Sequence, residues 1–177
     1  MFMVYAMIFS CKMGDLIGLL MLDHFAIKHG IGNEKAISPV RVESIIHFKA
    51  QCHMEIEENA VFPVIESTLP EDRSLHEMIK KALSDHIMIR RMGKSLIDLM
   101  STEESSVVLQ KVDSFFKMLN EHDLHEDLKV FPAWFHVDSK KKMESTKEAK
   151  SVIEQYGYRY YEKATDLPEY MVKYFLS

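Results

Sequence analysis

One eleven-residue pattern occurs twice, and it constrains the fold more than any other feature of the chain. The first copy is His53-Met54-Glu55-Ile56-Glu57-Glu58-Asn59-Ala60-Val61-Phe62-Pro63, and the second is His122-Asp123-Leu124-His125-Glu126-Asp127-Leu128-Lys129-Val130-Phe131-Pro132. Aligned without a gap, the copies share the histidine, a glutamate four residues later and the ending Val-Phe-Pro. On a helix, residues i and i+4 lie on one face about a turn apart. Each copy therefore aims an imidazole and a carboxylate at one point. Two such helices facing each other would supply two nitrogens and two bridging oxygens to a pair of metal ions.

The rest of the chain suits a helical reading. Strand-like alternation is absent, and glycine and proline are scarce at 6 and 5 residues. Thirteen methionines suit loosely specified helical cores. Punctuation marks four long amphipathic helices. The first runs from Asp15 to His29, with Gly30 and Gly32 expected to end it. The second opens at Ser38-Pro39 and runs to about Ile65. The third opens around Leu69-Pro70-Glu71-Asp72 and runs to Met100. The fourth opens on a capping box, Ser101-x-x-Glu104, and runs to Phe131. A charged helix fits Ser139 to Gln155, and a short one fits Leu167 to Phe175. The expectation is an all-α protein, an antiparallel up-down-up-down four-helix bundle with additional C-terminal helices. The expected division is an apolar extension over 1–13, the bundle over 14–135 and a helical extension over 136–177. The first of these could be an over-extended start preceding Met13. The aromatic tail is expected to pack across the bundle or to form a homodimer contact.

Charge and cysteine content narrow the partners. With 27 acidic and 22 basic residues the net charge is -5, which argues against nucleic acid or an anionic membrane. The lysines around Lys140 to Lys142 read as a solvated helix face. The apolar start is too short to span a bilayer and lacks a basic leader. Cys11 and Cys52 form no readable disulfide framework, so a cytoplasmic setting is expected.

Residues equally far from a hairpin turn lie at the same level. Counting from the turns near Thr68 and Ser101, the His53/Glu57 pair, His86 and the His122/Glu126 pair agree to about one helical turn, ~6 Å at 1.5 Å per residue. His24 reaches that level across the glycine-rich connection. His24 shares a face with Leu20 and Ile27, His86 with Ile79, Leu83 and Ile89, and His122 with Phe115 and Leu119. The six residues His24, His53, Glu57, His86, His122 and Glu126 are thus expected in one core layer, as metal ligands. His29, His47, His76 and His136 fall off that layer or face. His125 is rotated off the line of His122 and Glu126, and could support the site or add a ligand. Asp23, Glu58 and Asp127 could orient imidazoles. Cys52 reads as a small buried filler.

Four imidazoles and two carboxylates without a thiolate suit iron or manganese. No H-E-x-x-H motif of a zinc protease is present. No histidine has a glutamate three residues before it, as ferritin-like di-iron bundles require. The order His24, His53-x-x-x-Glu57 into Phe62-Pro63, His86, and His122-x-x-x-Glu126 into Phe131-Pro132 resembles the hemerythrin-like, HHE cation-binding family, over about Leu16 to Pro132. The resemblance implies two iron ions bridged by oxo, hydroxo or water, with manganese or zinc as substitutes, and O2, NO or peroxide as small-molecule partners. Two departures matter. Oxygen-carrying hemerythrins have a second histidine one turn from the third-helix histidine, where this chain has Ala82 and Arg90. Their last helix uses H-x-x-x-x-D, where this chain offers both Glu126 and Asp127. The four-histidine, two-glutamate set is closer to iron-centre repair and iron-sensing members. The expected function is to bind or sense O2, NO, or iron and redox state. Alternatives are an enzyme that acts on NO or peroxide or donates iron to damaged clusters, and a metal-free helical interaction protein.

Overall fold

The computed structural model describes residues 15–33, 38–101 and 105–177. The apolar start with Cys11, and the Glu104 half of the expected capping box, lie outside the described residues. The described residues contain helices and no strand. Helix α1 is Leu16–Asn33. The long second rod, α2, begins as Pro39–Phe48 and ends as Phe62–Thr68. Helix α3 is Arg73–Met100, and α4 is Ser105–His125 extended by Glu126–Val130 and Phe131–His136. These four rods pack on one another as the expected antiparallel up-down-up-down bundle. Three further helices follow: α5 (Ser139–Tyr156), α6 (Tyr158–Thr165) and α7 (Glu169–Phe175). None of the described helices is long and apolar enough to cross a membrane.

Local chemistry explains most boundaries. Ser38 accepts a hydrogen bond from the Arg41 N–H and Pro39 follows it, so α2 starts where expected. Asp72 caps α3 by accepting from the Leu75 N–H at 2.9 Å. The acids expected in that helix's first turn therefore precede it. Gly157, at φ 94°, ends α5. Gly30 and Gly32 do not end α1, which continues through both to Asn33. Gly30 instead lies beside Arg41, where a side-chain carbon would make only an ordinary contact. A Cβ there would lie 3.4 Å from the Arg41 guanidinium, which binds the Lys163 carbonyl and the Asp166 carboxylate at the end of α6. Helix α6 was not foreseen, because its eight residues sit between Gly157 and the left-handed Asp166.

The two Val-Phe-Pro endings fold alike. Proline lacks an N–H, and its ring collides with the carbonyl four residues back. Both rods respond by widening a turn to i→i+5 bonding: Phe62 N–H bonds the Glu57 carbonyl, and Phe131 N–H bonds the Glu126 carbonyl. Val61 (φ -105°, ψ -61°) and Val130 (φ -102°, ψ -55°) carry the same distortion. A further widened turn spans Lys49–His53. Such turns gather at functional sites, and here each begins or ends at a residue of the repeated motif.

The bundle core is apolar above and below one polar layer. Ile79, Ala82, Ile89 and Leu96 of α3 are buried. Leu83, expected beside them, is partly exposed, and Ala82 takes its place. Gly93 lets α3 approach α2, since a Cβ there would stand 2.6 Å from Ile46 Cγ2. The aromatic tail divides. Tyr161 and Phe175 are buried, whereas Tyr160 and Tyr170 stay 63% and 74% exposed. Tyr161 packs edge-on against Phe48 with centroids 4.8 Å apart.

Candidate metal centre

All six expected residues are buried in one layer. They fall into two overlapping groups: His24, His53, Glu57 and Glu126, and Glu57, His86, His122 and Glu126. Within each group the ligand atoms lie within 4.8 Å of one another. The glutamates belong to both groups. His53 Nε2 is 3.1 Å from Glu57 Oε1, and His86 Nε2 is 3.3 Å from Glu57 Oε2. Glu126 Oε1 is 3.3 Å from His86 Nε2, and its Oε2 is 3.3 Å from His122 Nε2. Each carboxylate thus lies between the histidines of both groups, an arrangement able to bridge two ions.

The donor atoms fit metal better than they fit one another. Both oxygens of Glu57, Glu126 Oε2 and both ring nitrogens of His122 are buried without a hydrogen-bond partner. Buried polar atoms without partners are rare and costly. Here they converge on one layer, and cations bound there would satisfy them. Nitrogen and carboxylate oxygen donors without sulfur suit borderline-hard divalent ions.

A model of the hemerythrin HHE cation-binding domain matches residues 15–134, more than half of the chain. The chain belongs to this family. Among curated proteins and among solved structures, no match is found. The protein is accordingly a metal-binding, hemerythrin-like protein.

This hemerythrin-like centre has an approximate twofold plan that extends beyond the six residues. The residue after each motif glutamate holds a histidine across the bundle: Asp127 Oδ1 is 2.9 Å from His24 Nδ1, and Glu58 Oε1 is 2.7 Å from His86 Nδ1. The motif phenylalanines cover the same two rings, Phe131 stacking on His24 and Phe62 on His86, both with centroids at 5.8 Å. Asp23, which precedes His24, bonds His53 Nδ1 at 3.1 Å. Asp85, which precedes His86, stands 3.9 Å from His122 Nδ1 and pairs with Lys81 instead. The expected orienting roles of Asp23, Glu58 and Asp127 thus match contacts. His125 points elsewhere, bonding the Met78 carbonyl at 3.1 Å. Arg90, one turn after His86, bonds Glu58, Glu55 and the Ala50 carbonyl. His76 bonds Glu66 and the Pro70 carbonyl, and His47 and His136 lie at the surface.

Burial and close packing shift the ionisable groups of this layer strongly. Burial raises the Glu57 pKa, but His53 and His86 outweigh it and hold it well below the usual range. Burial and the charge on Glu57 push Glu126 well above that range. Two carboxylates this close resist being charged together. Burial lowers His53, but Glu57 and Asp23 reverse this and raise it to about 9. His86 behaves likewise and reaches about 11. Burial pushes His122 down to about 2 and His24 well below its usual value. Burial also raises Asp127 to about 7.

Three partners escaped the reading of the sequence. Lys49 is fully buried, with Nζ 2.9 Å from Asp123 Oδ1, itself 3.6 Å from His24 Nε2. Its signal was its position one turn before His53 on an apolar face. The paired Asp-His dipeptides at 23–24 and 85–86 were a second signal for Asp85. Tyr161 had none: its hydroxyl donates to Asp23 Oδ1 at 2.5 Å from 138 residues away.

Proposed function

We propose that the chain is a non-haem di-iron protein that binds or senses O2 or NO, or iron and redox state, at a carboxylate-bridged centre. The observation that carries this reading is the sharing of Glu57 and Glu126 between two histidine pairs, in a layer where many donor atoms otherwise lack partners. His24 and His53 would hold one ion, His86 and His122 the other, and both glutamates would bridge them. Iron, with manganese or zinc as substitutes, suits that nitrogen and oxygen set. When bound, iron would supply reversible one-electron chemistry and an affinity for diatomic molecules.

The chain's own residues would do the rest. Asp23, Asp127 and Glu58 orient three imidazoles by accepting from Nδ1–H, which directs each Nε2 inward. Phe62 and Phe131 stack over two rings and keep water from them. Arg90 is engaged with Glu58 and Glu55, so α3 offers His86 alone. That leaves six protein residues for two ions and room for an exchangeable small molecule. Residues 14–135 would form the metal-holding bundle, and 136–177 a helical extension that supports it.

The test is metal content and visible absorption after anaerobic loading with Fe(II). Two irons per chain and an absorbance change on exposure to O2 or NO are expected. Far fewer than two irons, or an inert spectrum, would overturn the proposal.

A further inference from the structure

The twofold plan of the centre is broken among its outer carboxylates, and one of the breaks is made by the C-terminal segment. Asp23 and Asp85 occupy equivalent places, each before a histidine and each facing the motif histidine of a neighbouring rod. Asp85 is drawn to the exposed Lys81, and His122 Nδ1 has no hydrogen-bond partner. Asp23 is drawn the other way. The Tyr161 hydroxyl donates to its Oδ1 at 2.5 Å, and its Oδ2 accepts from His53 Nδ1–H at 3.1 Å. All three side chains are fully buried. Tyr161 lies on α6, beyond residues 15–134 that match the family model. Arg41 fastens the end of α6 to the start of α2, and Phe48 packs between the Tyr161 and His53 rings at 4.8 and 5.8 Å. The phenol is thus held at the carboxylate by packing as well as by its hydrogen bond.

We propose that Tyr161 is a positioning residue of the metal centre: through Asp23 it sets the donor strength of His53, and so makes the His24/His53 half electronically unlike the His86/His122 half. The inference rests on the proposed di-iron reading. The physical chain is short. A carboxylate accepting from a ligand imidazole N–H makes that imidazole a stronger donor. A carboxylate that also accepts from a phenol shares its charge between two donors and pulls less on the imidazole. Tyr161 therefore weakens the pull of Asp23 without removing it. The His86/His122 half is built differently: Glu58, which holds His86, is shared with the charged Arg90 at 2.5 Å rather than with a phenol, and His122 has no carboxylate hydrogen bond.

Tyr161→Phe deletes the hydroxyl and little else. Asp23 then pulls harder on His53, a stronger donor favours the oxidised ion, and the reduction potential of one iron falls. Asp23→Asn removes the carboxylate charge, weakens His53 and raises the potential of the same iron. The experiment is a spectroelectrochemical titration of the iron-loaded full chain, its two variants and Asp85→Asn, with iron content and far-UV circular dichroism measured alongside. Shifts of opposite sign, confined to one of two one-electron steps and absent in Asp85→Asn, are expected. A structural role alone would not give opposite signs. Release of one iron with retention of the other in Asp23→Asn also locates the effect in one half, as does a loss of affinity there of roughly 10–100-fold. Shifts of the same sign, equal movement of both steps, no shift, or loss of both irons would overturn the inference. A parent protein that takes up no iron would instead sink the proposed function, so the two failures are distinguishable.

Discussion

Replacement of Lys49 by methionine should destabilise the metal-free protein far more than its place in the sequence suggests. Lys49 is fully buried, and its ammonium lies 2.9 Å from Asp123 Oδ1, which is nearly as buried. Methionine keeps most of the stem and its packing but deletes the charge. Asp123 is then left buried without its cation, 3.6 Å from His24 Nε2. Breaking a buried pair from one side costs about 3–5 kcal/mol. In a chain of this size each kcal/mol moves the melting temperature by roughly 2–4 °C, so a fall of roughly 6–20 °C is expected. Removing both partners in Lys49→Met/Asp123→Leu should recover most of the loss, since an apolar pair replaces a buried ion pair at little cost. Burial lowers the Lys49 pKa, but Asp123, Glu57 and Glu126 outweigh it and raise the value above 10.5. The contribution of the pair is therefore fully present below that value and is lost as pH rises through the folded one. The assay is urea unfolding of chelator-treated protein followed by far-UV circular dichroism, at neutral pH. A Lys49→Met variant within about 1 kcal/mol of the parent, a value typical of exposed pairs, would refute the reasoning. So would a double variant no more stable than the single one.

Other outcomes follow from the same geometry. His53 and His86, raised to about 9 and about 11, carry protons at neutral pH in the metal-free protein. Metal uptake should release at least about two protons per chain, because ligand imidazoles bind neutral; calorimetry in buffers of different ionisation enthalpy would read this, and uptake without release would contradict it. Because both pKa values are raised on folding, their stabilisation of the metal-free fold is fully present below 6.5 and is lost as pH rises through about 9 and about 11. Melting temperatures of chelated protein should fall across that window, and a flat profile would argue against the assignment. Gly93→Ala puts a Cβ 2.6 Å from Ile46 Cγ2; overpacking of about 1–3 kcal/mol should exceed the ~1 kcal/mol helix-propensity gain and lower stability in a urea titration.

What could be read from the sequence depended on local rules. The i, i+4 spacing of His53/Glu57 and His122/Glu126 put both pairs on inward helix faces, and apolar neighbours did the same for His24, His86 and His122. Turn counting brought the six residues to one level because antiparallel rods share a common rise per residue. Capping at Ser38 and a positive-φ stop at Gly157 were equally local. The expected helix end at Gly30 failed: the helix runs on through Gly30 and Gly32 to Asn33, because a glycine within a helix lowers its propensity without forcing a turn. The widened turns after Glu57 and Glu126 follow from proline chemistry, and the repeated Val-Phe-Pro ending contained the information for both.

Within the sequence, helix punctuation determined the fold class, the repeated motif and the turn positions determined the level at which the candidate ligands gather, and two of the three places where the described rods distort were determined as well. Only the tertiary structure decided which carboxylate holds which imidazole. Asp127 reaches His24 and Glu58 reaches His86, Lys49 meets Asp123 across 74 residues, and Tyr161 meets Asp23 across 138. Those choices depend on how rods dock, and no spacing rule along one chain encodes distances between side chains on different helices. The same docking makes the two halves of the centre unequal, because Tyr161 reaches Asp23, whereas Asp85 turns to Lys81.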